Sequence, residues 1–377
     1  MKKNYIHINF ILLPIIVNLI TVKSSQQLEM QRIESKLLQS KFRGTLLGVL
    51  AGDCCGLPFE FDGNLQPVVI RTNLNRLEGP HFKAPLKKYS DDTAMTKVFA
   101  STLLKGYTQE ALATNFTKEF FREPSRGYGT GIQTVFSKLK ASKFQNWTQP
   151  AKEQYFGSGS YGNGGGMRVA PAALFYHDNL EKLKDLVRES TEITHTNKLG
   201  IYGAMLQAFA IQQALYLEPE KNPLNISKFT DELLAKMKDI EVPIEGDIEE
   251  NKMEYQHQLR EMLKLLNKNE EPEVEEVINT LGHSINALYS IPTAIYCFLK
   301  SHKTPINPEA NAFRNTLEYA IGLGGDTDTI ASMACAIAGA YYGESAISEN
   351  LLQHCEGTEM IRELADELFV KFNERSQ

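Results

Sequence analysis

A chain of 377 residues of which 42% are apolar has ample material for one large core or two ordinary ones, which argues against a disordered chain. Its formal net charge of −6 argues against a nucleic-acid binder that works by neutralising phosphates, so an anionic ligand would need metal ions or backbone amides. The five cysteines, Cys54, Cys55, Cys297, Cys335 and Cys355, form no C-x-x-C pair, and an odd number cannot all pair within one chain, so they read as small core residues.

At the N-terminus, Lys2 and Lys3 precede an apolar stretch from Ile6 to Val22 that is interrupted by His7, Asn9, Pro14 and Asn18. A charged region followed by a hydrophobic one is the order of a secretory leader, so residues 1–27 are expected to be a targeting segment and 28–377 a single domain. The stretch is too broken for a membrane span, and none is expected in the mature chain. Sequons at Asn115, Asn146 and Asn225 suit a secreted protein without showing use, and translation from Met30 would delete the leader altogether.

From about Leu28 onward apolar residues recur at helical spacing, as in Met95, Val98, Phe99 and Thr102, or Leu112, Phe116 and Phe120. The only strand-like run is Pro67 to Ile70, which makes a parallel α/β architecture improbable and predicts an all-α domain. The segment 218–276 is rich in Lys, Glu and Asp and divided by Pro219, Pro223, Pro243 and Pro272, so it reads as a solvated, peripheral helical insertion.

The segment Gly48 to Glu60 starts with small residues suited to a tightly packed helix, which Gly56-Leu57-Pro58 should end. That leaves Glu60 on an irregular segment, either as an ordinary surface glutamate or as a carboxylate able to move. Tyr89-Ser90-Asp91-Asp92-Thr93 stands just before the helical pattern at Met95, and Gly324-Gly325-Asp326-Thr327-Asp328-Thr329 just before the small-residue run Ile330 to Ala340. Both clusters suit helix caps. Both also present paired oxygens of the kind that hard cations select, and if the two helix starts converge, a two-metal site is the natural neutraliser of four carboxylates. Zinc is not expected, because neither cluster contains Cys or His.

The glycine-rich run from Gly157 to Arg168 lets backbone amides approach a ligand and suits a diphosphate, although a flexible loop without a ligand would look similar. Gly157, Gly159 and Gly162 satisfy G-x-G-x-x-G, but Ala151 to Phe156 is not a hydrophobic strand, which removes the dinucleotide-dehydrogenase reading. Gly127-Tyr128-Gly129 carries the same ambiguity. His195 reads as a structural histidine or as a ligand contact, and no serine or cysteine has the context of a covalent nucleophile.

Taken together, these segments resemble the ADP-ribosylhydrolase family, and within it the serine-type branch that also degrades poly(ADP-ribose). The resemblance rests on Gly52-Asp53-Cys54, Ser90-Asp91-Asp92-Thr93-Ala94-Met95, Gly127-Tyr128-Gly129, Gly159 to Gly165, Thr194-His195, Leu206-Gln207-Ala208, Ile291 to Leu299 and Leu323 to Ala331, in that order over roughly residues 40–345. It implies an orthogonal all-α globule with two magnesium ions between helix N-termini. Ser90, Asp91 and Asp92 would ligate metal from one helix start, and Asp326, Asp328 and Thr329 from the other. Glu60 matches the family's mobile glutamate, a metal ligand and the candidate general acid/base. Gly127, Gly129, Gly159, Ser160, Tyr161, Gly162, Asn163 and His195 match substrate-binding positions, and Tyr155 stands where an aromatic would stack on adenine.

Ser90 replaces the branch's usual threonine but keeps the hydroxyl. The implied partners are ADP-ribosylated proteins and poly(ADP-ribose), met by a monomer with no direct nucleic-acid contact. The family points to nucleus, cytoplasm or mitochondrion, in conflict with the leader. An arginine-type hydrolase and a catalytically silent ADP-ribose binder are the alternatives.

Overall fold

A computed structural model describes residues 34–62, 66–242 and 253–376. The expected leader and the alternative start at Met30 lie outside the described residues. Helices dominate, and among the described residues the only β pairing is three isolated bridges, as the all-α expectation requires.

Six helices position the chemistry: α1 (Ser35–Gly56), α2 (Asp91–Leu104), α3 (Lys198–Tyr216), α4 (Ile291–Lys303), α5 (Ala312–Gly322) and α6 (Thr327–Tyr342). Helix α6 is the axis, buried at every residue from Thr327 to Tyr341, with α3, α4 and α5 packed around it. A helix apolar on all sides belongs in the centre of a core. Its small residues, Ala331, Ala334, Ala336, Ala338 and Gly339 among them, let its neighbours come close.

The closest neighbour is α1, which carries Gly44, Gly48, Gly52 and Gly56 at intervals of four and so presents one side-chain-free stripe. A Cβ added at Gly48 would stand 2.2 Å from the carbonyl oxygen of Cys335, and one at Gly52 would stand 2.4 Å from Ala331. From the other side, a Cβ at Gly339 would stand 1.9 Å from the Gly44 carbonyl oxygen. Backbone therefore meets backbone along the stripe. All five cysteines are buried free thiols, as their spacing suggests.

Three local features differ from the pattern seen in the sequence. Pro67 to Ile70 is not a strand but the first turn of the helix Pro67–Glu78, with proline in its opening turn and Ile70, Leu74 and Leu77 as its buried face. The β-branched Val68 and Val69 point to solvent, so the short window concealed a helical period. Helices α2 and α6 start at Asp91 and Thr327 rather than at Met95 and Ile330, because acidic first turns are favourable although they carry no apolar periodicity.

The described helices of the charged segment bury an apolar face that its composition does not announce. Its helices Ile226–Lys238 and Glu254–Leu266 bury Phe229, Leu233, Met237, Tyr255, Leu259 and Met262, and the Tyr255 hydroxyl donates to the Leu199 carbonyl at 2.6 Å. Two of the sequon asparagines have internal roles: Asn225 caps the helix Ile226–Lys238, and Asn115 donates to Thr102 Oγ1 at 3.0 Å.

Overpacking of a rigid backbone contact typically costs roughly 1–3 kcal/mol or more. Gly48→Ala is expected to lower the unfolding free energy by at least that amount in a urea titration, whereas Gly106→Ala, where a Cβ meets nothing within 4 Å, is expected to cost only its strained positive φ. Equal effects would show that the stripe is not a close contact.

Candidate active site

Ser90 caps α2, its Oγ accepting from the Asp92 amide at 3.2 Å, and the same hydroxyl donates to Asp92 Oδ2 at 3.1 Å. From the start of α6, Thr329 Oγ1 donates to that same carboxylate oxygen at 3.3 Å. The two clusters therefore meet, and the Ser90 hydroxyl both caps α2 and joins the carboxylate cluster. Asp326 departs from the capping role: no side-chain cap bond is made, and its Oδ2 instead accepts from Asn163 Nδ2 at 2.5 Å. Glu60, Asp326 and Asp328 bring carboxylate oxygens within 4.8 Å of one another.

Glu60 stands directly after the 3₁₀ turn Leu57–Phe59 that ends α1, so Gly56-Leu57-Pro58 does stop the helix. Its neighbour Phe61 donates its amide to the Gly325 carbonyl at 2.9 Å, which holds this irregular segment against the second cluster. Thr327 Oγ1 donates to the Gly56 carbonyl at 2.9 Å, a second tie between the end of α1 and the start of α6.

Asp53 belongs to this centre although the sequence offered it no role of its own. Fully buried on α1, it accepts from the Ser90 amide at 2.8 Å, the Thr93 amide at 3.0 Å and Thr93 Oγ1 at 2.6 Å. It thereby holds the first turn of α2 in place. The available signal was an acid at the end of the small, apolar run Gly44 to Gly52, a residue rarely buried without partners.

The centre is short of positive charge. Burial raises the pKa of Asp92 well above the usual carboxylate range, and the charges that raise it further are those of Asp328, Asp53, Asp91 and Asp326. Asp328 is raised in the same way, first by burial and then by Asp326. Burial raises Asp326 and Asp53 too, against hydrogen bonds that pull them down. Asp91 is pushed up to about 8 by burial and then by Asp53. Half-buried Glu60 is raised by burial, then by Asp326 and Asp53.

Asp92 Oδ1 is buried without any hydrogen-bond partner, a costly state for a carboxylate oxygen. Such a group must take a proton or a cation. The oxygen donors fit a hard cation such as magnesium, with Ser90, Asp91, Asp92, Asp326, Asp328, Thr329 and Glu60 available to hold it.

Beside this centre lies the glycine loop. Tyr155, Phe156, Gly157 and Gly159 all have positive φ, and a Cβ at Gly159 would stand 2.2 Å from Thr196 Oγ1. No strand precedes Gly157, which ends the short 3₁₀ turn Gln154–Gly157, so the dehydrogenase reading fails in the structure as well. The rings of Tyr155 and Tyr161 stack at 6.1 Å and 28°, each about half exposed, and form an aromatic wall with open surface. Ser160 Oγ accepts from the Gly162 amide at 3.2 Å, and the Asn163 amide donates to the Ile285 carbonyl at 2.9 Å.

Buried His195 lies beneath Gly162 and Gly164, since a Cβ on Gly164 would meet its ring at 2.6 Å. Asn163 joins the loop to the acidic centre through Asp326. Gly127 adjoins the other side of that centre, with the position of its absent Cβ 3.6 Å from Asp91 Oδ1, while Gly129 has nothing within 4 Å of its own.

An all-α domain with a buried carboxylate cluster able to hold a metal ion is the class that this fold and site define. The sequence model of the ADP-ribosylglycohydrolase family matches residues 34–377. Two proteins named ADP-ribosylhydrolase ARH3 are similar over most of their length: that of Homo sapiens is 40% identical, covering 87% of this chain and 93% of its own, and that of Mus musculus is 39% identical, covering 89% and 93%. A solved structure titled ADP-ribosylglycohydrolase-related protein complex shares the fold, with a TM-score of 0.63 at 21% identity over 89% of this chain and 99% of that one. The chain belongs to the ADP-ribosylglycohydrolase family.

The raised carboxylates predict a pH dependence. Groups with raised pKa bind more protons folded than unfolded, so the stability they contribute is present below the ordinary carboxylate range and lost as pH rises through the folded values. In chelator, the thermal midpoint is expected to fall as pH rises from about 4 towards the Asp91 value of about 8, and magnesium is expected to restore it. A midpoint in chelator that does not decline over this range would refute the account.

Proposed function

We propose that this chain hydrolyses the O-glycosidic bond of ADP-ribosyl-serine on proteins, with poly(ADP-ribose) and O-acetyl-ADP-ribose as further substrates, and depends on two magnesium ions. Family membership makes it a glycosidase of ADP-ribose linkages. The observation that carries the finer reading is the juxtaposition at Asn163: its amide side chain ends the glycine loop on Asp326, so a bound diphosphate and the acidic centre adjoin. The names of the relatives at 39% and 40% identity, together with the Thr194-His195 and Leu206-Gln207-Ala208 blocks, favour this branch over the arginine-type alternative. A silent binder has little to recommend it, because every carboxylate of the centre is present.

When bound, the magnesium ions supply positive charge that neutralises the carboxylates, orients the ribose hydroxyls and lowers the pKa of a water. The chain itself supplies the rest. Tyr155 and Tyr161 offer the adenine a stacking face. The Ser158, Gly159, Gly162, Asn163 and Gly166 amides are engaged within the chain, so the remaining amides of 157–166 hold the diphosphate together with Ser160, and glycines at Gly162, Gly127 and Gly129 let backbone come near. His195 contacts the substrate from below the loop.

The reaction breaks the bond between the anomeric carbon and the serine Oγ through an oxocarbenium-like transition state. Glu60 takes a proton from the attacking water and delivers one to the departing Oγ. Its raised pKa suits both transfers, and its side chain, on the irregular segment after α1, is the part that moves.

The partners are ADP-ribosylated proteins and poly(ADP-ribose) rather than DNA or RNA as such, and the working form is a monomer. Among the described residues no helix is long and apolar enough to cross a membrane.

The test is release of free ADP-ribose from matched serine-modified and arginine-modified peptides, with magnesium and with chelator. Release from the serine peptide alone, lost in chelator, is the expected result. Glu60→Gln is expected to lower kcat by roughly 10²-fold or more while leaving ADP-ribose binding largely intact. Full activity in Glu60→Gln would remove the acid/base assignment, and no release by folded wild-type protein would remove the reading.

A further inference from the structure

Arg168 closes the glycine loop, and its guanidinium is buried behind that loop rather than facing solvent. One nitrogen, Nη2, donates to the Ser190 carbonyl at 3.0 Å and to Thr194 Oγ1 at 2.6 Å, and the group lies over the Phe116 ring. Thr194 Oγ1 is in turn 2.7 Å from His195 Nδ1. The Thr194 carbonyl also accepts from Gln154 Nε2 at 2.7 Å, next to Tyr155. One threonine thus joins a buried cation, the histidine under the loop and the base of the aromatic wall.

The proton count along this chain leaves two arrangements, and distance decides between them. A guanidinium can only donate, so the bond from Arg168 occupies an acceptor position on Thr194 Oγ1. The single hydroxyl proton then goes either to His195 Nδ1 at 2.7 Å or to the Thr191 carbonyl at 3.5 Å, and the shorter bond prevails. Nδ1 is therefore an acceptor. Burial, and then the nearby Arg168 charge, hold the imidazole neutral, so its one proton sits on Nε2. Nε2 lies beside the loop glycines, 3.2 Å and 3.1 Å from where a Cβ on Gly162 or Gly164 would stand, and among the described residues no hydrogen bond engages it.

We propose that Thr194 is a positioning residue which, held by Arg168, fixes His195 as the Nε2–H tautomer and so presents a neutral N–H donor to an oxygen of the ligand under the glycine loop. The tautomer follows from contacts within the chain alone. Only the identity of the acceptor, an oxygen of ADP-ribose, rests on the function proposed above.

The experiment uses the whole protein labelled with ¹⁵N-histidine. Long-range ¹H–¹⁵N correlation reads the two ring nitrogens of His195, which the His195→Gln spectrum identifies. Wild type and Thr194→Ser are expected to show a bare Nδ1 and a protonated Nε2, and Thr194→Val to lose that preference. Calorimetry with ADP-ribose is expected to show affinity reduced roughly tenfold in Thr194→Val and restored in Thr194→Ser, with magnesium affinity unchanged in both.

A proton on Nδ1 in the wild type overturns the proposal without recourse to any variant. An unchanged tautomer and affinity in folded Thr194→Val also overturn it. If wild type binds no ADP-ribose, the functional reading fails, while the nitrogen spectrum still decides the tautomer.

Discussion

Backbone contact between α1 and α6 sets where the acidic groups stand. The end of α1 lies against the start of α6, close enough that a Cβ on Gly56 would fall 2.6 Å from the Cα of Asp328. Three residues earlier on α1, Asp53 reaches the first turn of α2. A single helix end thus places the start of α2 relative to the start of α6, and Glu60 leaves that same end on a 3₁₀ turn. Ångström-scale placement of oxygen donors from three distant parts of the chain follows from this backbone contact together with the Asp53 carboxylate and the Thr327 hydroxyl. Rigid elements of this kind hold a constellation more precisely than loops do.

The arrangement opposes stability in the absence of a cation. Burying several carboxylates side by side costs several kcal/mol per ion unless each is paired, and Asp92 Oδ1 has no partner at all. Asp53 is the exception, satisfied by three hydrogen bonds, which identifies it as the structural member of the group. Asp92 is incompletely satisfied within the chain, and that deficit is what makes it available. The large core around α6 supports the cost, since its aliphatic and aromatic side chains are almost all fully buried.

The all-α class was legible because helical spacing recurs along the whole chain while alternation is nearly absent. The two acidic clusters were legible because a helix start needs neither paired carboxylates nor so many hydroxyls together. Their convergence was not, because nothing local in Asp92 states that Thr329 will donate to it. Only the resemblance to the family anticipated that. Asp53 stayed hidden for the same reason: its partners are on α2, and along its own helix it is one acid among small residues. The helix Pro67–Glu78 was misread because Val68 and Val69 are exposed β-branched residues, which mimic a strand when only four positions are considered. Within the charged segment 218–276, the helices Ile226–Lys238 and Glu254–Leu266 each bury one apolar face that the charges between its residues dilute in the sequence.

Where Gly44 meets Gly339, both partners are already the smallest residue there is. In an ordinary core, a residue that grows can be accommodated by trimming the one it faces, so sequences drift by exchanging volume across a contact. Here nothing remains to trim. The stripe has no reserve for compensation, and its positions are closed to the paired substitutions by which most interiors diverge.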